Sequence, residues 1–141
     1  MSFYDDELVE TFTVKTLDFT QISSEGEKEY IALMHASFPF IFGRIDWSSM
    51  QNTFLYQGES ISKGIEEIAE EIQRIEGGHF ITIGDALTES AYRFNTADFK
   101  LVASTFLEIP QHTYFLIPEI KWVSCISFEG DFDGIELSAC Q

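Results

Sequence analysis

The sequence predicts an α+β fold, a mostly antiparallel sheet of about six strands with three helices packed mainly on one face. Three observations carry that expectation. Isoleucines at 61, 65, 68, 72 and 75 recur at spacings of 4, 3, 4 and 3, which places them on one helical stripe. The last third of the chain runs in short apolar stretches bounded by Gly, Pro and Asp, the pattern of strands. Helical and strand-type segments follow one another in mixed order, without the regular alternation of a parallel sheet.

Taken from the start, residues 8–20 alternate as a strand does, with Phe12, Val14 and either Leu17 or Phe19 turned inward. Ser23, Ser24 and Glu25 offer a cap for a helix from Glu27 to Ser37, where Ile31, Met34 and Phe38 share a face beside Tyr30 and Leu33. Pro39 stops it, because proline disfavours α geometry in the residue before it. Residues 40–50 read as irregular or as one short helical turn, and Gln51 to Gln57 as a short strand. The isoleucine helix spans 60–76, with Ser60 as N-cap and Gly77 and Gly78 at its C-terminal stop.

A strand from His79 to Ile83, a turn at Gly84 and Asp85, and a strand from Ser90 to Phe94 come next. Asn95 or Thr96 caps a third helix from Ala97 to Leu107, with Phe99, Val102, Ala103 and Phe106 inward and Pro110 closing it. Three strands finish the chain, Thr113 to Ile117, Trp122 to Phe128 and Gly134 to Ser138, the last two joined through Gly130 to Asp133. With 141 residues, 45% of them hydrophobic and 14 of them Phe, residues 1–141 read as a single globular domain with no repeat or linker.

Charge narrows the function. Eight Lys and Arg stand against 24 Asp and Glu, a net charge of −16 with a pI near 4.3. The cations are spread from Lys15 to Lys121 without a basic cluster, so direct binding to nucleic acid or to an anionic membrane is disfavoured. The longest apolar stretch, residues 31–42, is interrupted by His35, Ser37 and Pro39 and is too short to span a bilayer. The acidic opening, Ser2 to Glu7, is unlike a signal peptide, and Cys125 and Cys140 read as free thiols, so the expected location is the cytoplasm.

Catalytic motifs are missing from the pattern. The sequence has no Walker loop, no dinucleotide fingerprint, no G-x-S-x-G elbow and no H-E-x-x-H. His35, His79 and His112 stand apart from one another, and Cys125 lies inside an apolar run that reads as packing. Neither a catalytic residue, a metal nor a cofactor is expected.

Acid-rich patches carrying aromatic residues remain as candidate partner-binding residues. Glu66, Glu67, Glu70 and Glu71 line one face of the isoleucine helix and form two like-charge i,i+4 pairs, with Glu70–Arg74 as the favourable one. Asp46 and Trp47 pair an acid with an anchor-type aromatic. Tyr4 with Asp5, Asp6 and Glu7 is a further acid-plus-aromatic patch, and Glu129, Asp131 and Asp133 surround Phe132. A solvated surface would account for the helix face equally well. Such a surface suits a partner groove lined by Lys and Arg, and its field would speed the encounter.

The succession Tyr114-Phe115-Leu116-Ile117-Pro118, then Trp122, Cys125 and Phe128-Glu129-Gly130-Asp131, resembles the strand-rich ending of bacterial polymorphic-toxin immunity proteins of the contact-dependent growth inhibition type. That resemblance is confined to the C-terminal third. It implies a cytoplasmic protein that binds one cognate toxin domain, often a basic nuclease, and blocks its active site or substrate groove. It brings no shared binding residues, so the site assignments rest on the chemistry above. Two other classes stay open: an acidic adaptor or regulatory domain with no toxin partner, and a carboxylate-based enzyme. The run Phe38-Pro39-Phe40-Ile41-Phe42 suits either core or self-association, so the oligomeric state stays open too.

Overall fold

The computed structural model describes residues 2–137. Cys140 and the end of the strand expected at 134–138 lie outside the described residues.

The chain opens with a helix, α1 (Phe3–Val14), where the alternating pattern over 8–20 predicts a strand. The Ser2 hydroxyl accepts the Asp5 N–H at 3.2 Å, and Asp5 and Asp6 favour the positive end of the helix dipole. Asp5, Leu8 and Phe12 are buried at helical spacing, whereas Val14, inward in the strand reading, is 75% exposed. Packing of that stripe outweighs the strand propensity of the threonines around Phe12. Thr16, at φ +56°, follows the helix, and β1 (Phe19–Ile22) takes up the end of the expected strand.

Helix α2 (Ser24–Ser37) begins three residues before the expected Glu27, because Ser23 accepts the Gly26 N–H at 3.2 Å. Residues 40–45 are not irregular. They form a small hairpin, β2 (Phe40–Ile41) and β3 (Arg44–Ile45), turned by Phe42 and Gly43. A short helical turn at Trp47–Ser49 leads to β4 (Thr53–Tyr56).

The isoleucine helix, α3 (Ile61–Gln73), buries Ile61, Ile65, Ile68 and Ile72. Ser60 does not cap it. Its hydroxyl instead accepts the Gln57 N–H at 3.0 Å and closes the tight turn Gly58–Ser60 ahead of the helix. The helix also stops earlier than residue 76, with Arg74 as C-cap and Gly77 at φ +66° in the following turn. Lys63, rather than Arg74, supplies an ion pair on its acidic face, 3.8 Å from Glu67. Burying each isoleucine contributes about 2 kcal/mol, whereas each like-charge glutamate pair costs a few tenths, so the helix tolerates its acidic face easily.

Strands β5 (His79–Gly84) and β6 (Ala91–Asn95) precede α4 (Phe99–Phe106), which is entered through a tight turn at Thr96–Asp98 rather than by an Asn95 or Thr96 side-chain cap. The final strands are β7 (Thr113–Ile117), β8 (Trp122–Ile126) and β9 (Phe132–Ile135). The last connection is 127–131, closed by Ser127 N–H donating to the Asp131 carbonyl at 2.8 Å, with Gly130 at φ +87°. Phe132 and Asp133 therefore belong to the strand and not to the loop.

Among the described residues the main sheet has seven strands, in the order β1-β6-β5-β7-β8-β9-β4, with every pairing antiparallel. Four α-helices accompany it among the described residues, so the expected counts of six strands and three helices each fall short by one. One face carries Phe80, Phe94 and Phe115, which meet Phe12 of α1 and Phe99 and Phe106 of α4 edge-to-face. Trp122 joins them against Phe99, its indole N–H donating to the Ile135 carbonyl at 2.6 Å. The opposite face presents Tyr114, against which Phe40 of the hairpin packs, and His35 of α2 stacks on Phe40.

Candidate functional site

Strand register builds the site on this second face. Cys125 lies between Tyr114 and Asp133 on the neighbouring strands, and Asp133 in turn lies opposite Leu55 at the sheet edge. Side chains of paired residues point to the same face, so these four form a row. The hairpin and the turn after it rise beside the row. Between them is a cleft of about 180 Å³, walled by Arg44, Ile45 and Trp47 and floored by Tyr114 and Cys125. Glu129, Asp131 and Asp133 line its acidic side, and His112 and Ser127 its end.

Three carboxylates and one guanidinium, that of Arg44, thus line the cleft. Burial, then Asp131 and Glu129, push the Asp133 carboxyl up to about 6. Glu129 is held below the usual carboxylate range by its own backbone N–H and the Ser127 hydroxyl. The Asp131 carboxylate accepts the Gln57 side-chain amide at 3.3 Å, and its backbone N–H donates to the Ser127 hydroxyl at 3.0 Å. His112 is fixed at the margin: its Nδ1 accepts the Phe128 N–H at 3.3 Å, and its backbone N–H donates to Asp85 at 2.9 Å.

Of the residues anticipated from sequence, Trp47, Glu129, Asp131 and Asp133 meet at this cleft. Asp46 does not line it. Its carboxylate accepts the Ser48 hydroxyl at 2.6 Å and serves the turn. Glu66, Glu67, Glu70 and Glu71 stay exposed on α3, outside the cleft. The two acidic regions are joined through β4 and the residue after it. The Tyr56 hydroxyl donates to Glu67 at 2.9 Å, while the adjacent Gln57 reaches Asp131. Burial, then Glu67, Glu71 and Glu136, raise the Tyr56 phenol.

Phe42, read from sequence as either core or self-association surface, is not among the anticipated partner-binding residues. It is 97% exposed at the hairpin tip, and both it and Gly43 have positive φ, +52° and +77°. A left-handed, fully solvated phenylalanine adds nothing to the fold, since glycine, asparagine or aspartate suits that turn better. Ile41 and Leu55, each about half exposed at 51% and 54%, extend the apolar margin. The signal for the hairpin was a lone glycine between Phe40-Ile41-Phe42 and Arg44-Ile45.

The cleft is poorly suited to thiol chemistry. Burial, then Asp133 and Asp85, push the Cys125 thiol well up, the opposite of what a nucleophilic cysteine needs. Among the described residues no group of three or more His, Cys, Asp or Glu is arranged to hold a metal ion, and no helix is long and apolar enough to cross a membrane. A second groove, about 390 Å³, lies between α1 and α4 along Leu8, Thr11, Leu101 and Ile109, with Tyr4 and Glu7 of the acidic opening in its wall. No protein-family model, curated protein or solved structure matches the chain.

Proposed function

We propose that this protein is an immunity-type inhibitor, which binds a cationic toxin domain and neutralises it by occluding its active site or substrate groove. The observation that carries the reading is the convergence of Glu129, Asp131 and Asp133 on one cleft beside a hairpin that holds Phe42 in solvent. Carboxylates stand where the phosphates of a toxin's substrate would lie, and the exposed aromatic supplies a hydrophobic anchor. Close charge pairs across such an interface are each coupled by several kcal/mol when water is excluded. The net charge of −16 adds long-range attraction.

The test uses the product of the gene adjacent to this protein's own, where the reading expects the toxin to be encoded. The expected result is protection of cells expressing that toxin, with an association rate that falls steeply as salt rises. Two variants divide the surface: one with Glu66, Glu67, Glu70 and Glu71 changed to Gln, the other with Glu129→Gln, Asp131→Asn and Asp133→Asn. Binding unchanged in both overturns the reading. An acidic adaptor is the second reading, because the same surface serves any basic protein, and it predicts binding without protection.

A further inference from the structure

We propose that β4 is a docking edge, which takes an extended, Lys- and Arg-bearing segment of the partner as an added strand of the main sheet. This rests on the functional reading above and specifies how the partner is held.

The ladder fixes which groups are free. Glu136 N–H donates to the Asn52 carbonyl at 2.8 Å, and the register continues without a bulge through Phe54↔Gly134 and Tyr56↔Phe132. Hydrogen bonding alternates along an antiparallel pair, so the main chains of Thr53 and Leu55 point away from β9. β4 is the last strand in the sheet order, and no strand among the described residues pairs with its outer side.

The usual guards of an edge are absent. Thr-Phe-Leu-Tyr contains no proline, lysine or other charge, and Leu55 is 54% exposed. What flanks the strand is negative charge on both faces. On the helix face Tyr56 is bonded to Glu67 and feels Glu71 and Glu136. On the cleft face Leu55 is backed by Asp133, with Asp131 held by Gln57. A second copy would set these carboxylates against one another, so the edge is protected against itself and open to a cationic strand. The opposite edge, β1, is different: Thr20 pairs with Arg93, which lies in hydrogen-bond range of His79.

An added strand would lie about 10 Å from β9, two strand spacings away. Alternate side chains would point to the two faces. A Lys or Arg on the cleft face lays its apolar stem over Leu55 and carries its charge toward Asp133. Its neighbours in sequence face Glu67 and Glu71.

The experiment is backbone hydrogen exchange on the full chain, alone and with two probes: the product of the adjacent gene, tested as the toxin, and a synthetic peptide of alternating Lys and Thr. The expected result is at least tenfold slowing at the Thr53 and Leu55 amides with either probe. Leu55→Pro, which removes an outward donor and the apolar side chain under the added strand while sparing the bonds to β9, should weaken toxin binding at least tenfold. If the toxin binds while both amides stay unprotected, the docking edge is overturned and the inhibitor reading survives. If the toxin fails to bind, the inhibitor reading falls, and an unprotected edge with the peptide overturns the docking proposal as well. Protection that rises with protein concentration without any probe assigns the edge to a second copy and overturns the proposal. Should Leu55→Pro fail to fold, the exchange measurement on the unaltered protein decides.

Discussion

The hydroxyl of Tyr92 donates to the carboxylate of Asp5, 87 residues earlier in the chain, and so ties the first helix to the centre of the molecule. Asp5 is fully buried and also accepts the Glu89 N–H at 2.6 Å, the Ser90 N–H at 3.2 Å and the Ser2 hydroxyl at 2.6 Å. Burial alone would raise its carboxyl, but these four donors together hold it below the usual range. Asp5→Asn turns an amide toward donors that need an acceptor and is expected to cost about 3 kcal/mol in urea unfolding at pH 7. A depressed pKa stabilises the fold above the unfolded value, about 3.9, and that gain is lost as pH falls through the folded value. The gap between wild type and variant should therefore shrink below pH 4; a gap that persists unchanged would contradict this account.

How far the sequence reveals the molecule depends on the range of the forces involved. The isoleucine stripe of α3 and the aromatic face of α4 are legible because periodicity within one element records which side is buried. Helix α1 is not, since its stripe includes a buried aspartate whose partners, Glu89, Ser90 and Tyr92, come from a distant segment. The acids of the cleft are legible as a local run, but their far wall, Arg44 to Trp47, is brought up by the hairpin. Reading Phe132 and Asp133 as loop also hides the row that joins Tyr114, Cys125, Asp133 and Leu55, which exists only in the register of four strands.

Asp133 should behave in the opposite sense to Asp5. With its carboxyl pushed up to about 6, the folded protein holds a proton that the unfolded chain has already released between about pH 4 and 6. Stability contributed by this group is present below that window and is lost as pH rises through it. Asp133→Asn is expected to stabilise the protein by about 1 kcal/mol at pH 7, after allowance for screening in a half-open cleft, and to be neutral near pH 4. Thermal unfolding at the two pH values checks this, and equal effects at both would refute it.

Thr82 tests the packing between sheet and helices. Among the described residues its hydroxyl is buried without a hydrogen-bond partner, as is that of Ser124, and both flank Phe115 in adjoining strands. Thr82→Val keeps the shape and the β-branching while removing the stranded polar atom. The expected gain is about 1 kcal/mol in chemical denaturation, with the slope against denaturant unchanged. A loss of stability would mean that the hydroxyl is satisfied in solution.

Phe42 offers the sharpest separation of folding from binding. At φ +52° and 97% exposed, it carries a conformational penalty and no burial to offset it. Asparagine tolerates the left-handed region, and Asn followed by glycine is the favoured pair for a two-residue hairpin. Phe42→Asn is therefore expected to stabilise the protein by about 0.5–1 kcal/mol. If Phe42 anchors the toxin, the same change weakens binding at least tenfold, a loss of about 1.4 kcal/mol. Most of that loss should appear in the dissociation rate, because the charge that steers the encounter is untouched. Melting temperature and surface-binding kinetics on one preparation read both effects. A variant that melts higher and still binds as tightly would remove Phe42 from the interface.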